Sequence, residues 1–276
     1  MKKISRRSFL AAAGLSVAAL ALTACGGSSA SSTASSVASS EAASTSAAAG
    51  ELTTVEAGKL TMATNATFPP YEMTTDAGDI EGIDVETAQA IAEKLGLELQ
   101  IDDMDFDAAL LSVQQGKADI VMAGVTVTDE RKAVMDFSDS YATGIQSIIV
   151  PEGSDIASPD DLSGKKIGTQ RGTTGYIYCS DDFGDENVVA YDNGLTAVQA
   201  LNNGQVDAVV IDNAPAKEFV AANPGLVILD TSYAEEDYAI GMAKGSSLED
   251  AINAALEELQ ADGTLQAIVD KYITAE

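Results

Sequence analysis

The chain has 276 residues, a formal net charge of −28, and neither His nor Trp. All 43 acidic residues lie after residue 25, so the body of the protein repels nucleic acid phosphates and anionic lipid headgroups, and no nucleic acid partner is expected. Without His it lacks the commonest general base and the commonest metal ligand, which speaks against catalysis and against a metal site; no cofactor is expected.

In chain order the first element is an address. Lys2, Lys3, Arg6 and Arg7 precede an apolar run that is interrupted by Gly14 and Ser16 and is short for a permanent membrane span. Ser5-Arg6-Arg7-Ser8-Phe9-Leu10 resembles a twin-arginine export signal. Leu22-Thr23-Ala24-Cys25 resembles a bacterial lipobox, in which the Cys becomes the lipidated first residue of the mature protein. Residues 1–25 are therefore read as a lipoprotein signal peptide. Residues 26–50, almost all Gly, Ser, Thr and Ala, are read as a flexible tether. The expected location is extracytoplasmic, anchored by lipid on Cys25 to the outer face of the cell membrane, which is the periplasmic side if an outer membrane exists. With Cys25 modified, Cys179 is left as a small packed apolar side chain.

From residue 59 the pattern becomes periodic. A strand at 59–63 leads into a rigid aromatic loop, Phe68-Pro69-Pro70-Tyr71. A helix opens near Asp84 as its N-cap candidate, runs to Leu95 and stops at Gly96. A strand at 97–101, a helix at 106–115 stopped by Gly116, and a buried strand at 119–123 follow; Thr128 opens another helix. The same order then recurs: a strand at 165–169, a helix after Gly172-Thr173-Thr174, a strand at 188–191, a helix at 196–203 stopped by Gly204, a strand at 207–211 and a helix at 214–221. Residues 113–121 and 201–209 share one grammar, in which a helix ends, a Gly turns the chain, an Asp opens a strand and an apolar run follows. Helices at 247–262 and 264–272 close the chain. Strands alternating with helices imply parallel sheets with helices on their faces, here as two similar α/β lobes.

Open α/β sheets bind ligands at the C-terminal ends of their strands, which is where Gly124 and Asp212 fall. Arg131, one of two arginines after the signal, follows the strand at 119–123 and can grip a carboxylate with two parallel bonds, or it can be a surface Arg. Gly124 and Thr126 can add backbone or hydroxyl donors. Gly172-Thr173-Thr174-Gly175, between a strand and a helix, presents amide groups that suit an anion, or is an ordinary turn. It lacks the Lys-Ser or Lys-Thr of a Walker loop and is not a dinucleotide fingerprint. Asp212 suits an ammonium group, or caps the helix at 214–221. Donors for a carboxylate, an acceptor for an ammonium and aromatic walls together describe a site for an α-amino acid, with no nucleophile and base in evidence.

Across Leu60 to Tyr272 the chain resembles the family 3 extracellular solute-binding proteins of polar amino acid ABC transporters. The resemblance rests on Thr67-Phe68-Pro69-Pro70-Tyr71-Glu72, Gly82-Ile83-Asp84-Val85-Glu86, Met104-Asp105-Phe106-Asp107-Ala108, the run from Ala123 to Lys132, Asp136-Phe137-Ser138, Gly172-Thr173-Thr174-Gly175 and Ala261-Asp262-Gly263-Thr264. It implies the two-lobed α/β fold of the Venus-flytrap, type II periplasmic binding proteins. Lobe 1 is expected at 51–145 plus 237–276 and lobe 2 at 146–236, with crossover segments near Thr143 and Asp237 as the hinge. The implied function is to capture an amino acid between the lobes, as a monomer, and deliver it to the permease subunits of an ABC importer. The resemblance gives Arg131 the ligand carboxylate, assisted by Gly124, Thr126, Thr173 and Thr174. It gives Asp212 the α-ammonium, Phe68 and Phe106 the ligand body, and Gln170 a place in the pocket wall. It assigns part of side-chain recognition to Asn65, where relatives that bind cationic amino acids or glutamine often carry Asp. Asn cannot neutralise a cation, so a neutral polar ligand is expected, while Arg171 beside the pocket leaves an acidic one open. Two alternatives use the same fold: a ligand-sensing module for a membrane receptor, and a dehydratase-like enzyme employing Glu72 or another carboxylate.

Overall fold

A computed structural model describes residues 52–273; the expected signal peptide, the lipidation site Cys25 and the tether lie outside the described residues. Twenty elements follow one another. They are β1 (Lys59–Thr64), β2 (Thr67–Phe68), β3 (Glu72–Thr74), β4 (Ile80–Glu81), α1 (Ile83–Leu95), β5 (Glu98–Asp103), α2 (Phe106–Gln114), β6 (Ile120–Val121), α3 (Asp129–Lys132) and β7 (Met135–Pro151). The second part runs β8 (Ile167–Gln170), α4 (Thr174–Phe183), β9 (Val188–Tyr191), α5 (Gly194–Asn202), β10 (Ala208–Asp212), α6 (Asn213–Ala222), β11 (Leu226–Ile228), β12 (Ala234–Ala243), α7 (Glu249–Ala261) and α8 (Thr264–Tyr272).

The main sheet has the strand order β5-β1-β6-β12-β7-β10-β8-β9, with β11 paired to β7. On one side β1 runs parallel to β5 and β6. On the other, β8 runs parallel to β9 and β10. Between these two parallel groups lie the long strands β7 and β12, antiparallel to each other, with Asp237 paired to Thr143. This is the two-lobed type II arrangement: two small α/β halves joined by a pair of crossover strands. The expected hinge points therefore meet as direct partners in one ladder. A hairpin sheet, β2-β3-β4, follows β1.

Each half has its own apolar layer. Phe106, Ala109 and Val113 of α2 pack on Ala63 and Val121. Ile148, Ile167, Cys179 and Val210 pack in the other half, where burial pushes the Cys179 thiol up to about 12. The repeated sequence grammar has a repeated physical cause. Gly116 and Gly204 both turn the chain at positive φ, 65° and 67°. The Asp that follows then clips a neighbouring strand by a backbone amide: Asp119 accepts from the N–H of Thr61 (2.7 Å), and Asp207 accepts from that of Lys166 (2.8 Å).

The expected helices and strands of both halves are present with their ends moved by a few residues. Two differences carry reasons. The N-cap of α1 is Gly82, not Asp84. Asp84 is buried instead, accepting the Tyr141 hydroxyl (2.7 Å) and the Gly124 amide (2.9 Å), because a tertiary donor and a strand-end amide both reach it. The strand around 119–123 is only Ile120–Val121, since Ala123 and Gly124 turn away to begin the site. Among the described residues no helix is long and apolar enough to cross a membrane.

Candidate ligand-binding site

The ten residues singled out in the sequence line a single narrow cavity. One half contributes Asn65, Phe68, Phe106, Gly124, Thr126 and Arg131; the other contributes Gln170, Thr173, Thr174 and Asp212.

Arg131 is aimed by its own helix. Thr128 caps α3 by accepting the Arg131 amide (3.1 Å), which fixes the first turn and leaves the Arg131 side chain buried. Its Nη1 donates to the Thr126 carbonyl (2.7 Å) and its Nη2 to the Gly172 carbonyl of the opposite half (3.1 Å). The guanidinium carbon lies 5.4 Å from the centre of the Phe106 ring, a cation–π distance. Two of its five N–H groups are thus committed, and the others remain for a ligand. Burial disfavours its charge, and the Glu236 carboxylate favours it.

The start of α4 supplies backbone donors. The Thr173 hydroxyl accepts the Tyr176 amide (3.3 Å) and donates to the Gln170 carbonyl (2.8 Å), so it folds the turn. The Thr174 hydroxyl donates to Glu236 (3.0 Å). What a ligand can use here is the pair of first-turn amides, Thr174 and Gly175, which have no intrahelical acceptor.

Asp212 occupies the N-cap position of α6 but makes no capping hydrogen bond. Its carboxylate accepts the Tyr238 hydroxyl and the Gln146 amide (2.9 Å). Burial, with the Glu236 carboxylate nearby, pushes it up to about 7 against the pull of those two donors.

Several expected donors have other duties. The Gly124 amide is given to Asp84, so Gly124 serves as wall; at φ 55° its bare Cα lies against Phe68, where a Cβ would come within 2.8 Å of the ring. Asn65 donates to the Met104 carbonyl (2.9 Å) and accepts from Thr67 (3.0 Å) and from Gln170 across the cleft (2.9 Å). One Asn65 N–H is left over. Arg171 is exposed, beside Asp192 at 3.5 Å, and lines no part of the cavity, so it offers nothing to an acidic ligand.

Glu72, which the sequence offered only as the carboxylate of an alternative dehydratase-like enzyme, is a wall of the cavity. It is fully buried, no amide, hydroxyl or cationic donor of the protein reaches its carboxyl, and it pairs with the carboxyl of Asp84. Burial and the neighbouring Asp84 hold it well above the usual carboxylate range. Gln146, Glu236 and Tyr238, which nothing in the sequence singled out, stand behind the cavity residues and hold them. The only available signal was an acid or amide within an apolar stretch, as Glu72 is in Pro-Pro-Tyr-Glu-Met.

Residues 60–275 match the family model of bacterial extracellular solute-binding proteins, family 3. A probable histidine-binding protein of Neisseria gonorrhoeae is 34% identical over 273 residues, 96% of this chain and 95% of the relative. The L-cystine-binding protein TcyJ of Escherichia coli is 34% identical over 226 residues, 80% of this chain and 85% of the relative. Among solved structures, an ancestral arginine-binding protein bound to glutamine superposes with a TM-score of 0.76 at 42% identity, over 79% of this chain and 99% of that one.

Proposed function

The chain belongs to the bacterial extracellular solute-binding proteins, family 3, and from that premise we propose that it captures a free α-amino acid in the cavity between its halves and delivers it to the permease of an ABC importer. Its relatives are amino acid-binding components of such importers, and the family binds solutes rather than transforming them. The observation that carries the reading is Arg131 and Asp212 in one cavity with Phe68 and Phe106.

The remaining N–H groups of Arg131 and the first-turn amides of α4 take the ligand carboxylate. Asp212 takes the ammonium, and the two Phe rings hold the body. Arg131 comes from one half and Asp212 from the other, so a bound zwitterion ties both halves and stabilises the closed state. Lobe 1 comprises 51–145 and 237–276, and lobe 2 comprises 146–236. The leftover N–H of Asn65, beside Gln170, reads a neutral polar side chain.

A second reading, a cationic side chain, is favoured by Glu72. A buried carboxyl that no amide, hydroxyl or cationic donor of the protein reaches is an acceptor site that a guanidinium or ammonium would satisfy. Calorimetric titration with each common amino acid and cystine separates the two readings. Tight binding of an amide or hydroxyl ligand supports the first, tight binding of Arg or Lys the second, and no binding at all refutes the proposed function.

The chain is exported and acts as a monomer tethered by residues 26–50 to lipid on Cys25. Cys25→Ala then releases it from the membrane fraction; retention of that variant refutes the anchor.

A further inference from the structure

Glu236 lies on crossover strand β12, paired to Gly144 of β7, and lines no part of the cavity. It is buried, and among the described residues no Lys or Arg forms a salt bridge with it. A buried carboxylate without an ion pair is costly, so a fold that keeps one needs its hydrogen bonds. One oxygen of Glu236 gathers three donors: the Thr126 hydroxyl at 3.2 Å, the Thr174 hydroxyl at 3.0 Å and the Gln146 amide at 2.9 Å.

The donors come from different bodies. Thr126 follows β6, and its neighbours are tied to β12 by Val127 N–H to the Asp237 carbonyl (3.0 Å) and Ala239 N–H to the Val125 carbonyl (3.1 Å). Thr126 is therefore held beside Glu236 at the crossover. Thr174 opens α4 in the other half. The Gln146 amide, on β7, donates both to Glu236 and to Asp212, at 2.9 Å each. Its carbonyl end lies against Gly175, where a Cβ would come within 2.9 Å of it.

We propose that Glu236 is the positioning residue of the cleft, holding Thr126 and Thr174 from opposite halves on one oxygen and, through Gln146, setting Asp212. Opening the halves parts Thr126 from Thr174, so the two can no longer share that oxygen, and the residue that orders the donors also favours closure. The affinity arm of its test rests on the amino acid reading above; the scattering arm does not.

Two conservative variants separate position from charge. Glu236→Gln keeps an oxygen where the three donors converge and removes the charge. Glu236→Asp keeps the charge and withdraws it by about 1.5 Å, one C–C bond, beyond hydrogen-bond reach of Thr174. The expected result by calorimetry is E236Q within about threefold of wild type, and E236D roughly ten- to a hundredfold weaker for every amino acid the wild type binds. In ligand-free small-angle scattering, E236D is more open than wild type and E236Q is not. If the wild type binds no amino acid, the function proposed above fails and the scattering order of the two variants still decides this inference. Glu236 acting through its charge on Arg131 would reverse the order of the variants. Reversal, or two variants indistinguishable from wild type, overturns the proposal.

Discussion

Pairing of Asp212 with the ligand ammonium predicts that amino acid affinity rises about a hundredfold between pH 5 and pH 8. In the free protein burial and Glu236 push that carboxyl up to about 7. At pH 8 it is mostly ionised; at pH 5 only about one molecule in a hundred is, and the ligand must first displace a proton. A bound ammonium lowers the pKa again, so binding near pH 7 releases protons. Titration in two buffers of different ionisation enthalpy counts them. The stability of the free protein runs the other way. Asp212 in the fold is raised above its ordinary value near 3.8, as is Asp84, at about 6. Their stabilising contribution is complete below pH 4 and is lost as pH climbs through about 6 and 7. Melting temperature of the free chain should therefore fall from pH 5 to pH 8 while ligand affinity increases. Asp212→Asn should bind weakly and lose most of the pH slope, which separates Asp212 from Glu72 and Asp84. A wild-type affinity that is flat from pH 5 to pH 8 refutes the pairing of Asp212 with the ammonium.

Other substitutions test the remaining parts. Arg131→Ala leaves the ligand carboxylate buried without its cation and should cost about 3–5 kcal/mol, a loss of hundredfold to several thousandfold by calorimetry; near-wild-type binding would remove Arg131 from the site. Tyr141→Phe strips the hydroxyl from a buried oxygen of Asp84 and should lower stability by about 1–3 kcal/mol in urea titrations, with affinity little changed because neither residue lines the cavity. Gly144→Ala would drive a Cβ into the buried Tyr238 ring at the crossover, and should destabilise by about 1–3 kcal/mol in thermal melts. Cys179 should react with a thiol reagent only after denaturation, its thiol being buried and pushed up to about 12.

The helices were legible because their ends are written locally. Gly96, Gly116 and Gly204 turn the chain where helices stop, and Thr128 starts one by accepting an amide three residues on. The crossover strands were not legible as strands. Met135–Pro151 and Ala234–Ala243 show no strict alternation of buried and exposed residues, and each is a strand through pairing with the other about a hundred residues away. The same division runs through the site. Arg131, Thr173 and Asp212 stand at strand ends and helix starts, positions that α/β geometry marks in advance. Glu72, Gln146 and Glu236 sit within strands, where an acid or amide ordinarily faces water. Asp84 shows how the local rule loses: its position suits a cap, yet Tyr141, from 57 residues away, and the amide of Gly124 take its carboxylate. Local chemistry thus identifies the groups that line the cavity. The buried carboxylate of Glu236, which holds Thr126, Thr174 and Gln146, becomes visible only when the two halves meet.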